Sequence, residues 1–212
     1  MNEKVTEPLS LDDHQDMNKH IRILKNAFYD EFGSKRAIPR PKFKGKEVYV
    51  DLINKSPNGF PKKFIHLIGF DKSEINFNEN SVLACTNDIS ALSCNENCIN
   101  KQCEYIESVY SNGDIKKKYP CLYRGVRIIW INQIIALANN NSEYVKVFEE
   151  TYFSKGKQET DIHLRYIEGT IDYDVILNRH KNKYILKTAF PVIYRRKKKD
   201  LDKKYHFYLS QQ

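Results

Sequence analysis

Long apolar runs are missing from this 212-residue chain. Nothing approaches the ~18 consecutive apolar residues of a membrane-spanning helix, so the sequence predicts no membrane partner. An apolar export signal is also missing: Met1-Asn2-Glu3-Lys4 leads into acidic and polar residues. The expected compartment is therefore the cytoplasm, where cysteines stay reduced. The five cysteines, an odd number, read as thiols or metal ligands rather than disulfides. Glycine is scarce, with eight in the chain, and none forms a phosphate-cradling loop, which argues against nucleotide-binding folds of that type. No repeat at a solenoid period occurs. No histidine sits in a serine or cysteine pattern that would mark a nucleophile.

The material present is that of a globular protein. Apolar residues make up 41% of the chain and aromatics 12%, enough for a core and against wholesale disorder. The length suits one domain, or one domain with an attached lobe. Thirty-five Lys and Arg against 27 Asp and Glu leave a net charge of +8 and a pI of about 9.1. Such a surface favours a polyanion, because Lys and Arg displace counterions from phosphates. RNA is the expected partner.

Along the chain, Ser10 and the acids Asp12 and Asp13 suit a helix start. Met17, Ile21, Leu24 and Phe28 follow at helical spacing, and Gly33 can close the helix. Residues 35–46 carry Pro39, Pro41 and several cations and read as a solvated connector. Residues 47–53 alternate as a strand ended by Pro57-Asn58-Gly59. The run from Phe64 to Phe70 is too short to assign by period. Residues 122–137 form the strongest apolar segment and favour a helix buried on several sides, with a β-branched start at 126–131 as the competing reading. Beyond it, residues 144–152, 161–168, 173–179 and 183–193 alternate or are β-branched, separated by short turns, and predict antiparallel hairpins. A short helix over about residues 200–209 closes the chain. The predicted fold class is α+β: N-terminal helices packed on a C-terminal antiparallel sheet of about four strands, with a Cys-rich insert over about residues 85–121. The predicted division is 1–46, a helix and basic linker, and 47–212, the α+β domain.

Four constellations carry possible chemistry. Cys94, Cys98 and Cys103 fall within ten residues, with Cys121 beyond and Cys85 as a substitute. Four such ligands suit a structural zinc, and reduced thiols in a polar loop are the alternative. His66 lies inside an apolar run, either as a hydrogen-bonded core histidine or as a general acid or base. Arg124 and Arg127 share one face of a helix among apolar neighbours, either ion-paired or lining a pocket where a guanidinium grips phosphate. In the strand Tyr184-Ile185-Leu186-Lys187-Thr188-Ala189-Phe190-Pro191, alternation puts Leu186, Thr188 and Phe190 on one face and Lys187 on the other with Ile185 and Ala189. Five cations follow at once, Arg195, Arg196, Lys197, Lys198 and Lys199, as candidate nucleic-acid contacts. His163, His180 and His206 are weaker candidates.

Leu186-Lys187-Thr188-Ala189-Phe190-Pro191 resembles the strand signature of the barnase–EndoU–colicin–RelE superfamily of small ribonucleases. Phe64-Ile65-His66-Leu67-Ile68-Gly69 resembles a segment of its phage-encoded members. Tyr123-Arg124-Gly125-Val126-Arg127-Ile128-Ile129-Trp130-Ile131 and Tyr173-Asp174-Val175-Ile176-Leu177 are similar to segments of phage and mobile-element proteins. The resemblance covers short patches between about residues 66 and 205. It implies an antiparallel sheet, metal-independent RNA cleavage to 2′,3′-cyclic phosphate ends, and an antitoxin or immunity protein as a partner. By position it implies His66 as acid or base, Arg127 or Arg124 with Lys187 as phosphate-charge stabilisers, and Thr188 as an orienting hydroxyl. The Cys-rich insert departs from the compact toxins. It leaves a non-catalytic, zinc-stabilised nucleic-acid-binding or protein-interaction module as the alternative function.

Overall fold

Helical spacing of Ile21, Leu24, Phe28 and Phe32 gives the first element, α1 (Met17–Phe32), which buries those four side chains. The computed structural model describes residues 3–11, 17–33, 39–71, 106–109 and 115–212, with 106–109 and 115–117 described by backbone. In chain order after α1 come β1 (Lys42–Phe43), β2 (Lys46–Tyr49), α2 (Lys62–Ile68), β3 (Gly69–Asp71), β4 (Ile106–Val109), β5 (Ile115–Pro120), α3 (Leu122–Gly125) and α4 (Trp130–Asn139). They are followed by β6 (Val145–Ser154), β7 (Lys157–Glu168), β8 (Ile171–Arg179), β9 (Tyr184–Pro191) and α5 (Arg195–Ser210). The fold class is α+β.

Two compact units share the chain. The first comprises Met1–Thr6, Pro39–Val50 and Trp130–Gln212; the second comprises Glu7–Ile38 and Asp51–Ile129. The first holds a sheet of order β1-β2-β9-β8-β7-β6. Its last four strands form the expected antiparallel ladder, but the sheet has six strands and is mixed. Residues 42–49 make a hairpin over Lys44 and Gly45, both at positive φ, as a two-residue turn of the I′ kind requires. β2 then pairs in parallel with β9, Val48 opposite Tyr184. Nearby prolines and lysines make residues 42–46 read as linker, whereas the strand expected from residue 47 is present as β2 and ends at Tyr49. β6 and β7 turn on the same device at Lys155 and Gly156.

In the second unit, β3, β5 and β4 form a three-stranded antiparallel sheet. The α1 aromatics pack within this unit, Phe28 lying 5.5 Å from Phe64 and 5.3 Å from Phe32, ring centre to ring centre. Leu24 meets Gly125, where a Cβ would come within 2.4 Å of its Cδ1. Close approach there requires glycine.

Two further expectations are corrected. The apolar segment 122–137 is not one helix: α3 and α4 are separated by turns over 126–129, where the β-branched Val126, Ile128 and Ile129 lower the helical preference, the first two of them buried. The last helix starts at Arg195, not near residue 200. Lys and Arg are good helix formers, and Asp200 and Asp202 offset the crowded cations one turn on. No helix among the described residues is long and apolar enough to cross a membrane.

Candidate functional site

Alternation along the central strands gives the six-stranded sheet two unlike faces. Ile162, Leu164 and Tyr166 of β7 oppose Leu177, Val175 and Tyr173 of β8, and all six are buried. This apolar face takes α4, with Trp130 edge-on to Tyr173 at 5.7 Å. On the other face the same strands present Asp161, His163, Arg165, Asp174 and Asn178. There α5 lays Leu201 against Phe148 and Val192, with Phe190, Tyr205 and Tyr208 beside them.

Beneath α5 the polar side chains pair across elements. Arg165, wholly buried, makes a bidentate pair with Asp172, Nε–Oδ1 2.8 Å and Nη2–Oδ2 2.6 Å, and donates to Asp202 of the helix at 2.8 Å. That bond ties helix to strand in the fork geometry a guanidinium favours. His163 stacks on Phe148 at 4.5 Å and donates from Nδ1 to Asp174 at 2.8 Å. Its Nε2 lies 3.4 Å from Glu150, which also binds Lys204 of α5 at 2.9 Å.

The same face opens to solvent at Lys187, whose side chain is 45% exposed. Its Nζ donates to Tyr152 Oη at 2.8 Å and to buried Asp161. Tyr152 Oη reaches Glu159 at 3.0 Å, and Asn178 Nδ2 donates to Asp161 at 2.9 Å and to Glu159 at 3.3 Å. Burial pulls the Lys187 pKa down, but the bonds to Asp161 and Tyr152 outweigh it and hold it above the ordinary lysine value. Burial, helped by the Glu159 bond and opposed by Lys187, raises the Tyr152 phenol. The cluster thus presents a fixed cation, a protonated phenol and two carboxylates.

A β-bulge creates this arrangement and corrects the alternation expected for β9. Thr188 pairs with Ile176 and Leu186 with Leu177, so the ladder shifts at Ile176/Leu177 and Lys187 is the extra residue. Leu186 turns to the apolar face and is fully buried, whereas Thr188 and Phe190 lie on the polar face. Lys187 joins them there through its bonds to Tyr152 and Asp161. Bulges re-aim side chains in this way at the cost of local ladder bonds.

The other predicted residues lie elsewhere. His66, in α2, is half-buried. Burial first, then the charges of Lys63, Arg124 and Lys118, push its pKa down to about 3, with Asp71 opposing. The imidazole is therefore neutral at physiological pH. Arg124 is buried, donates to the Gly69 carbonyl at 2.9 Å and lies 5.1 Å over the Phe70 ring. Arg127 is buried, donates to the Tyr123 carbonyl at 2.8 Å and stacks 3.6 Å over its ring. These three belong to the second unit and Lys187 and Thr188 to the first. Cys121 is buried at the start of α3, its Sγ accepting from the Arg124 amide at 3.4 Å. Cys85, Cys94, Cys98 and Cys103 lie outside the described residues, as do Asp12, Asp13 and the turn at 111–114. Of the five clustered cations, Arg195, Arg196 and Lys199 are exposed, while Lys197 and Lys198 are half-buried and pair with Asp200 and Asp202.

Sequence reasoning missed Tyr152, Glu159, Asp161, Asp174 and Asn178 and gave His163 little weight. A signal was there: in β7, Asp161, His163 and Arg165 alternate with the apolar Ile162, Leu164 and Tyr166, and Glu159 continues the polar side. Comparison with known proteins returns no match to a family model, to a curated protein or to a solved structure, so the site stands on its own geometry.

Proposed function

We propose that this protein is an RNA endonuclease that cleaves by attack of the ribose 2′-oxygen on the adjacent phosphate, without a metal. The observation that carries the reading is the Lys187–Tyr152–Asp161–Glu159 cluster: a cation, a phenol and carboxylates converge at a bulge on a solvent-open sheet face. The net positive charge supports a polyanionic substrate, and the ribonuclease resemblance of the β9 strand lends weight to this chemistry.

In this scheme Glu159 accepts the 2′-hydroxyl proton as the oxygen bonds to phosphorus. Lys187 offsets the charge gathering on the phosphate oxygens, and Thr188 orients them. Tyr152 gives its proton to the departing 5′-oxygen as the P–O5′ bond breaks. The products are a 2′,3′-cyclic phosphate and a 5′-hydroxyl, and the proton held by Glu159 returns to Tyr152. His66, Arg124 and Arg127 have no assigned role in this step.

The test incubates pure protein with total RNA in EDTA and analyses the fragment ends. Cyclic phosphate ends are expected. Lys187→Ala and Tyr152→Phe, each checked for folding by circular dichroism, should lower cleavage by about 100-fold or more, the scale of a lost acid–base group. Full activity in both folded variants refutes the assignment. Salt-sensitive RNA binding with no cleavage by the natural protein points instead to a non-catalytic binding module. A structural zinc held by Cys94, Cys98, Cys103 and Cys121 is a companion proposal, resting on their sequence clustering. Elemental analysis of protein purified without added metal is expected to find near-stoichiometric zinc, and freely titrating thiols with no metal would remove it.

A further inference from the structure

The cations of α5 divide by face. Lys197, Lys198 and Lys204 turn inward and pair with Asp200, Asp202, Asp172 and Glu150. Every acid of the helix is thereby engaged. Arg195, Arg196, Lys199 and Lys203 are exposed, and none has a carboxylate partner among the described residues. Positions 196, 199, 203 and 207 fall on one helical stripe. The stripe therefore runs Arg196, Lys199, Lys203 and ends in Phe207, which is 65% exposed. From Arg196 to Phe207 it spans about 16 Å, the reach of a few nucleotides.

Like charges along a stripe, with the adjoining Asp200 already paired to Lys197 and Lys204, are a standing electrostatic cost that a polyanion removes. An exposed aromatic at the end of a cationic track adds what a phosphate contact alone lacks, a surface for an unpaired base. Duplexes offer phosphates but keep their bases stacked. Anionic membrane is a poorer fit. The apolar face of α5, with Leu201, Tyr205 and Tyr208, is spent on the sheet, and the outward face adds only Phe207 and Leu209 at one end, short of an interfacial helix.

We propose that the outward stripe of α5 is a single-stranded RNA track, with Arg196, Lys199 and Lys203 contacting successive phosphates and Phe207 stacking on a base. It deepens the reading above, resting on it only for RNA as the polyanion.

The probe is a fluorescein-labelled single-stranded oligouridine with methylated 2′-oxygens, which binds but cannot be cut by 2′-attack. Fluorescence anisotropy on the full chain follows its affinity against salt. Lys199→Glu with Lys203→Glu should weaken binding by about tenfold or more and lower the salt slope by about 1.4, two phosphates at about 0.7 each for a single strand. Phe207→Ala should weaken it by about tenfold with the slope unchanged, since stacking displaces no counterion. Lys157→Glu with Lys181→Glu makes the same net charge change on exposed lysines outside the helix and should stay within about twofold. Equal losses from the two double variants overturn the track, because net charge alone then explains binding. So does Phe207→Ala abolishing association with phosphatidylserine vesicles while leaving the oligomer bound, which assigns the face to membrane. Cleavage of unmodified RNA separates this from the catalytic reading. Loss of cleavage in Lys187→Ala with unaltered oligomer binding by the α5 variants removes the track and keeps the nuclease. The reverse pattern removes the nuclease and keeps the track.

Discussion

His66 and His163 sit in regions of opposite electrostatic character. Around His66 the charged neighbours among the described residues are the cations Lys63, Arg124 and Lys118, with Asp71 opposing them. Around His163 both ring nitrogens face carboxylates, Asp174 at 2.8 Å and Glu150 at 3.4 Å, and the ring is clamped on Phe148. The first ring is held in its neutral form by burial and repulsion. The second serves as a connector between three strands, and through Glu150 and Lys204 to α5. What each histidine does therefore follows from its burial together with the charges that meet it, which come from distant parts of the chain.

The comparison makes His163 the costlier of the two to remove. His163→Ala leaves the fully buried Asp174 without its Nδ1–H donor and opens a void against Phe148. The expected loss is about 2–4 kcal/mol, a cavity term added to the penalty of an unsatisfied buried acceptor. Urea unfolding at pH 7 measures it. A double-mutant cycle with Asp174→Asn should show coupling of about 1 kcal/mol or more, since the two groups share one bond. His66→Ala under the same conditions breaks no ion pair of a neutral ring and should cost less. Equal losses at the two positions would break the comparison.

How legible each region was follows the same logic. The four antiparallel strands were readable because alternation and short turns are local properties of residues 144–193. Helix α1 was readable from Ile21, Leu24 and Phe28 for the same reason. The parallel pairing of β2 with β9 was not, because Val48 and Tyr184 are far apart in sequence and nothing near either encodes the partner. At the site, Lys187 and Thr188 stand out in the sequence as polar residues in an apolar strand, and alternation alone puts them on opposite faces. The bulge that reunites them depends on how β8 meets β9, not on β9 alone. Tyr152, Glu159 and Asp161 escaped notice because a tyrosine and two acids on a charged strand look like solvated surface until register brings them to Lys187. His66 drew attention through its apolar neighbours, whereas its pKa is depressed by burial first and then by cations that reach it from residues 63, 124 and 118.

The smallest expected effect is also the one that most directly tests the His66 environment. In the unfolded chain this imidazole takes up a proton near its ordinary value of about 6.5, while the folded protein holds it off until about pH 3. Between those values the unfolded state binds one more proton, so acid favours unfolding. The contribution is fully present above about pH 6.5 and is lost as pH falls toward 3, at a limiting slope of about 1.4 kcal/mol per pH unit. Partial solvent access at His66 places the measured slope below that limit. His66→Gln removes the titration and keeps a polar side chain of similar reach. Urea midpoints of the natural protein and the variant, followed from pH 7 to pH 4, are expected to diverge, with the natural protein losing stability faster on acidification. Parallel curves would mean that His66 takes up its proton equally in both states. Burial and the charges of Lys63, Arg124 and Lys118 would then not be governing it, and the contrast with His163 would lose its electrostatic half.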